Sequence, residues 1–179
     1  PASAPAKRYG DHPFTTAGDF GTPNEAYFAH AEWVVDRARQ KGIAVLLAPA
    51  YLGYRGGDQG WYQEMVANGA TKLRAYGRYV GDRFKGYANI VWLDGGDYNP
   101  PDISLVRAVA EGIRERAPSL LHAAHCAPET SALDWYAGEP HADLGRLQWE
   151  AFRAARLVVD TGLHHFAWNF GEAVTFMRD

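Results

Sequence analysis

The segment Asn89-Ile-Val-Trp-Leu-Asp-Gly-Gly-Asp97 constrains this chain more than any other. Ile90, Val91, Trp92 and Leu93 form a short continuous apolar run, the pattern of a parallel strand covered on both faces. Gly95 and Gly96 follow, residues that let a backbone turn tightly and approach a ligand closely. Asp97 is thereby delivered to the carboxyl end of the strand, where α/β barrels carry their chemistry. Taken alone, the segment is equally consistent with an aspartate that orders the loop before Asn99-Pro-Pro-Asp102.

The flanking sequence alternates between two periods. Thr22-Pro-Asn-Glu25 reads as a helix start, with Thr22 as cap, Pro23 in the first turn and Glu25 three residues on. The expected helix carries Tyr27, Ala31, Val34 and Ala38 on one face and stops at Gly42. Ile43-Ala-Val-Leu-Leu-Ala-Pro49 reads as a strand, and residues 50–60 as a loop rich in Gly and Tyr. A short helix from Trp61 to Ala67 is broken at Asn68-Gly69. A longer one runs from Thr71 to Phe84 with Leu73, Tyr76, Val80 and Phe84 in a stripe, and Gly86 closes it. After the Asn89 strand, Asp102 caps a helix reaching Ala117, with Val106, Val109 and Ile113 inward. Leu120-Leu-His-Ala-Ala-His125 is a third strand. Strand–helix alternation with short links predicts an α/β fold with a parallel sheet and right-handed crossovers.

Five segments together resemble the apiosidase-like glycoside hydrolases. They are Asn24-Glu-Ala-Tyr-Phe-Ala-His30, Leu47-Ala-Pro-Ala-Tyr-Leu-Gly-Tyr54, Tyr76-Gly-Arg-Tyr-Val-Gly-Asp-Arg83, Asn89 to Asp97, and Cys126-Ala-Pro-Glu-Thr-Ser-Ala132. The resemblance covers roughly residues 8 to 140. It implies a (β/α)8 TIM-type barrel whose fourth strand ends in the Gly-Gly-Asp turn, Asp97 as general acid/base, and His125 beside the sugar at the end of the next strand. It also implies export to the periplasm or beyond, although the chain carries no signal peptide and leaves the compartment open.

The residue types suit that chemistry. Glycosidic cleavage normally needs two carboxyl groups flanking the bond, and a semi-buried strand end supplies the desolvation that favours a protonated acid. Tyr51, Tyr54, Trp61, Tyr98, Trp135 and Tyr136 lie on or near the predicted loop side, where flat rings can grip a sugar. Any single one of them is as readily rim packing. Strand alternation points Asp94 away from Asp97 and gives it a structural part.

The 179 residues fall short of the about 250 of a complete barrel. The second catalytic carboxylate implied by the resemblance is a Glu on a late strand, and no segment here matches it. Glu139 and Glu150, the nearest later acids, end no β-like run. From about residue 141 a different resemblance begins, to a bacterial helical family related to zinc carboxypeptidases. Residues 143–164 form an amphipathic helix with Leu144, Leu147, Ala151, Ala155 and Val158 in its stripe, and Asn169-Phe-Gly-Glu172 resembles a capping box for a last helix. That family holds its metal with an upstream HExxH-type helix, which is absent here.

The expected organisation is therefore a partial barrel over residues 1–140 and a helical tail of different ancestry over 141–179. Seven histidines and one cysteine show no ligand spacing, so neither a metal nor another cofactor is expected. His122 and His125 sit three apart on a strand and face opposite sides; His164 and His165 are adjacent and diverge. A net charge of −3 gives no footprint for nucleic acid. No apolar run is long enough for a membrane span. The expected partner is a carbohydrate. Uncovered sheet edges would also favour self-association. Two further readings stay open: a carboxypeptidase-related chain without its metal motif, and a non-catalytic fragment or fusion.

Overall fold

The computed structural model describes residues 10–128, Thr130 and Trp135. Among them, helices and strands alternate as expected: α1 (Glu25–Gln40), β1 (Val45–Leu47), α2 (Tyr62–Phe84), β2 (Ile90–Gly95), α3 (Ser104–Arg116) and β3 (Leu121–His125). The tail expected over 141–179, and with it Tyr136, Glu139 and Glu150, lies outside the described residues. The three strands form one parallel sheet in the order β1-β2-β3. The fold is thus α/β, part of a barrel of parallel strands with crossover helices.

Two local expectations are corrected. The cap of α1 is Asn24, whose side-chain oxygen accepts from the Ala26 N–H at 3.1 Å. Thr22 is occupied one turn earlier, where its hydroxyl donates to the Asp19 carbonyl at 3.0 Å and accepts from the Thr16 N–H at 3.1 Å. The buried face of α1 is centred on Phe28 and Val35, with Tyr27 and Ala31 packed alongside. Val34 points outward and is 47% exposed. Phe28 sets this rotation, because its ring packs edge-on against Tyr79 at 5.2 Å and against Tyr76 at 6.2 Å.

The break expected at Asn68-Gly69 is a kink within α2, with Gly69 at φ 72°. Asn68 fixes it: its amide donates to the Gly18 and Glu64 carbonyls and its oxygen accepts from the Phe20 N–H. Beyond the kink, Leu73, Tyr76, Val80 and Phe84 are buried. The helices α2 and α3 approach until their backbones touch. A Cβ on Gly77 would lie 2.2 Å from the Val109 carbonyl oxygen, and one on Gly112 would lie 2.2 Å from that of Arg74. Arg74 and Arg78 bracket this contact with ion pairs to Glu111 and Glu115.

In β2, Ile90, Trp92 and Asp94 are buried on the helix side, and Trp92 meets Phe84 edge-on at 5.9 Å. Parallel register sets His122 beside Trp92 and Ala124 beside Asp94. The apolar run of β2 predicts cover on both faces. Among the described residues the helix side is covered, and the opposite face, which includes the buried Ala123, is covered in part. On that face Leu46 is 58% and Leu121 43% exposed.

Candidate active site

Asp97 stands just past the carboxyl end of β2, the middle strand. Its position comes from the turn before it. Gly95 takes φ 100°, a region that favours glycine. Gly96 comes so close to the loop after β1 that a Cβ there would lie 2.6 Å from the Leu52 nitrogen. Leu52 N–H donates to the Gly95 carbonyl, and Gly96 N–H to the His125 carbonyl at 3.0 Å. The ends of all three strands are thereby tied around the turn.

Both carboxylate oxygens of Asp97 have partners. The Tyr51 hydroxyl donates to Oδ2 at 2.5 Å, and His125 Nε2 lies 2.9 Å from Oδ1. Burial, and then the hydrogen bond to Asp97, push the Tyr51 phenol up to about 12. At neutral pH it is a protonated donor. The Tyr51 and His125 rings lie 6.3 Å apart, so the three side chains, from the loop after β1, the turn after β2 and the end of β3, form one cluster. Such a carboxyl group, partly buried and held by two neighbours, is fixed in orientation where the strands end.

The other residues expected at a sugar site divide. Tyr54 is exposed at the rim with the Arg55 guanidinium over its ring. The Arg55 N–H donates to the Asp97 carbonyl at 3.1 Å. Tyr98 packs edge-on against Tyr62 at 5.0 Å. Trp61 turns away into an aromatic cluster, 5.3 Å from Phe14 and 5.8 Å from Phe20. It lines a cavity of about 290 Å³ on the helix side of the sheet, whose wall also includes Tyr51 and Trp92. Trp135 is exposed. The loop bearing Tyr51 and Tyr54 is pinched at its base. Trp61 N–H donates to the Tyr51 carbonyl at 2.8 Å, and a Cβ on Gly60 would lie 2.0 Å from the Gly53 nitrogen.

Three features escaped the sequence reading. Tyr51 binds Asp97 directly, whereas the sequence suggested only a platform for sugar. Asn99 clamps the loop after β3, accepting from the Ala127 N–H at 2.9 Å and donating to the Thr130 hydroxyl at 3.0 Å. Asp94, read as structural, meets His122 in the buried layer at 2.7 Å. The spacing of Asp94 to Asp97 and of His122 to His125, three residues on neighbouring strands, was the available signal for that pair. Among the described residues no group of three or more His, Cys, Asp or Glu side chains is placed to hold a metal ion. No described helix is long and apolar enough to cross a membrane.

A parallel sheet with a tethered carboxyl group at the carboxyl end of its middle strand is the layout of α/β-barrel enzymes, and comparison with known proteins narrows the class to glycoside hydrolases. Two solved structures are similar. One is a glycoside hydrolase family 5 protein from Bacteroides vulgatus ATCC 8482, with TM-score 0.64 and 22% identity over 77% of this chain and 29% of that one. The other is described as a glycoside hydrolase, with TM-score 0.63 and 22% identity over 77% and 30%. At that identity they establish shared architecture, and this chain spans less than a third of either. The catalytic-domain model of the apiosidase-like family matches residues 2–161, and the chain belongs to that family. The match runs past the boundary expected at 140. None of the matches named here links residues 141–179 to a carboxypeptidase-related family. No curated protein matches the chain.

Proposed function

We propose that Asp97 is the general acid/base for cleavage of a glycosidic bond in a plant-type polysaccharide, with Tyr51 and His125 holding its carboxyl group in place. One observation carries this reading. Asp97 stands just past the end of the middle parallel strand, with Tyr51 of the loop after β1 and His125 at the end of β3 both within hydrogen-bonding distance. His125 is also the side chain best placed to touch a sugar entering beside Asp97. Tyr54, Tyr98 and Trp135 would supply flat faces around it, and Trp61 would support the loop from behind.

Two-carboxylate chemistry needs a partner for Asp97. No described strand other than β2 ends in a carboxylate: β1 leads to Leu47-Ala-Pro49 and β3 ends at His125. The chain of 179 residues is therefore proposed to bind carbohydrate without cleaving it. The sheet edges at β1 and β3 would leave it marginally stable or self-associating. The proposed division at about residue 140 belongs to this same reading.

The test has two arms. Incubation of the chain with apiose-containing glycans should release no sugar. Robust release that Asp97→Ala abolishes would reveal a second carboxylate and overturn the proposed inactivity. In a longer family member carrying the same Gly-Gly-Asp turn, Asp97→Asn should slow turnover by about 10²- to 10⁴-fold, the scale of lost acid/base help. Unchanged turnover would reject the role of Asp97.

A further inference from the structure

We propose that the buried pair Asp94–His122 is a positioning device: it fixes how the ends of β2 and β3 lie against one another, and so sets the contact between Asp97 and His125. Its catalytic meaning rests on the reading of Asp97 given above.

The geometry is a repeat. Asp94 and Asp97 are three residues apart on one strand and its turn, as are His122 and His125 on the next. Each aspartate meets a histidine of the neighbouring strand, at 2.7 Å in the first pair and 2.9 Å in the second. The first pair lies in the helix-facing layer, with Asp94 2% and His122 1% exposed. The second stands at the mouth, partly buried. Between the pairs the sequence is Gly95-Gly96 on one side and Ala123-Ala124 on the other. These residues have no bulky side chains to interlock, so beyond the backbone ladder and the Gly96 N–H bond to the His125 carbonyl, side-chain packing adds little against sliding.

The Asp94–His122 bond supplies a tie of the required direction. In the ladder Asp94 is opposite Ala124, and His122 is opposite Trp92. The bond therefore crosses the two strands diagonally over two residues. A diagonal tie resists displacement of one strand along the other, and that displacement is the one that would part Asp97 from His125. Stability is a poor explanation for the pair. A buried charged or strongly polar pair can often be replaced by apolar residues of similar volume at no loss, and here the His122 Nε2 is buried without a partner. Nδ1 is thus the ring nitrogen of His122 that has a hydrogen-bond partner.

The experiment uses the chain itself and reads the His125 ring by NMR during a pH titration. His125 stands beside Asp97 and the Tyr51 ring, and Tyr51, at about 12, stays protonated throughout. In the parent chain, Asp97→Asn should lower the His125 midpoint by about one pH unit, the scale for losing an adjacent opposite charge. With the pair replaced by Asp94→Leu and His122→Phe, the same Asp97→Asn step should shift the midpoint by less than half as much, while thermal stability is unchanged or higher. Asp94→Asn, which keeps an acceptor for Nδ1, should restore the full shift and serves as the second variant if the apolar replacement fails to fold. An equal shift with and without the pair, or loss of the shift in Asp94→Asn, overturns the proposal. No shift in the parent also overturns it, and leaves the role of Asp97 to the turnover assay, which does not depend on this pair.

Discussion

Replacing Gly77 by alanine puts a methyl group into the backbone of the neighbouring helix. The new Cβ would lie 2.2 Å from the Val109 carbonyl oxygen and 3.0 Å from the Gly112 Cα. Ordinary contact begins near 3.4 Å, so α2 and α3 must part by more than an ångström along that line. The neighbour is backbone, and no rotamer change can relieve it. Overpacking of this kind costs about 3 kcal/mol at the upper end of its range, and the better helix propensity of alanine offsets about 1 kcal/mol. The net loss should be about 2 kcal/mol, or roughly 8 °C in melting temperature for a domain of this size. Urea unfolding followed by circular dichroism measures it. Gly86→Ala is the control: a Cβ there meets nothing within 4 Å, and the change should be neutral or stabilise by up to about 1 kcal/mol. Because Gly77 and Gly112 face each other, the double alanine variant should cost less than the two single changes together. A Gly77→Ala midpoint equal to the parent's, or strict additivity of the pair, would refute the close-packing argument.

The Tyr51 and Tyr79 phenols are both pushed up to about 12, by burial first and then by hydrogen bonds to Asp97 and Glu25. Their folded forms keep protons that the unfolded chain releases near pH 10. Their contribution to stability is whole below that pH and is lost as pH rises through about 12. Denaturant midpoints measured alongside phenolate absorbance should show this loss, and Tyr51→Phe should shrink it. Glu115 is held at about 2 by hydrogen bonds from Arg78 and Arg74. The sign reverses there: its contribution is present above about pH 4.5 and is lost as pH falls towards 2, so Glu115→Gln should flatten the acid limb. Asn99→Ala should cost about 1 kcal/mol for its lost hydrogen bonds and speed amide exchange at Ala127 by at least tenfold, and unchanged exchange would show that the loop is held otherwise. Sedimentation should show concentration-dependent association through the face bearing Leu46 and Leu121. A monomer with one sharp unfolding transition would show that face to be covered.

The strong periods of the chain were legible. The apolar run from Ile90 to Leu93, the stripe from Leu73 to Phe84 and the inward set Val106, Val109 and Ile113 each answer to packing that a single period encodes. The placement of Asp97 followed from the glycines before it, and its side relative to His125 was implied by the family resemblance. Side-chain partners were less legible, because they depend on register between segments far apart in sequence. Tyr51 lies 46 residues from Asp97, and nothing in either segment announces the other. The cap of α1 was misread for a related reason. Thr22 and Asn24 are both competent caps, and the choice falls to Asn24 once Thr22 is engaged by the Asp19 turn. Trp61 looked like a sugar platform by its place near the loop side, at the start of a helix, and its ring packs against Phe14 and Phe20.

The pinched base of the Tyr51–Trp61 loop separates two properties that most binding loops combine. Leu52, Gly53, Gly60 and the Tyr51–Trp61 hydrogen bond form a neck, and the segment from Tyr54 to Gln59 is a tip beyond it. A change of side chain at the exposed tip positions Tyr54, Arg55, Asp58 and Gln59 is absorbed outside the neck and leaves the Arg55 N–H on the Asp97 carbonyl, so Tyr51 keeps its bond to Asp97. Those rim side chains can therefore be rewritten while the carboxyl group stays in register, which makes positions 54, 55, 58 and 59 the place where the surface beside Asp97 can vary without re-solving how Asp97 is held. Grafted tips of the same length, joined at Gly53 and Gly60 and keeping an N–H at position 55, would turn that separation into a practical handle on the rim.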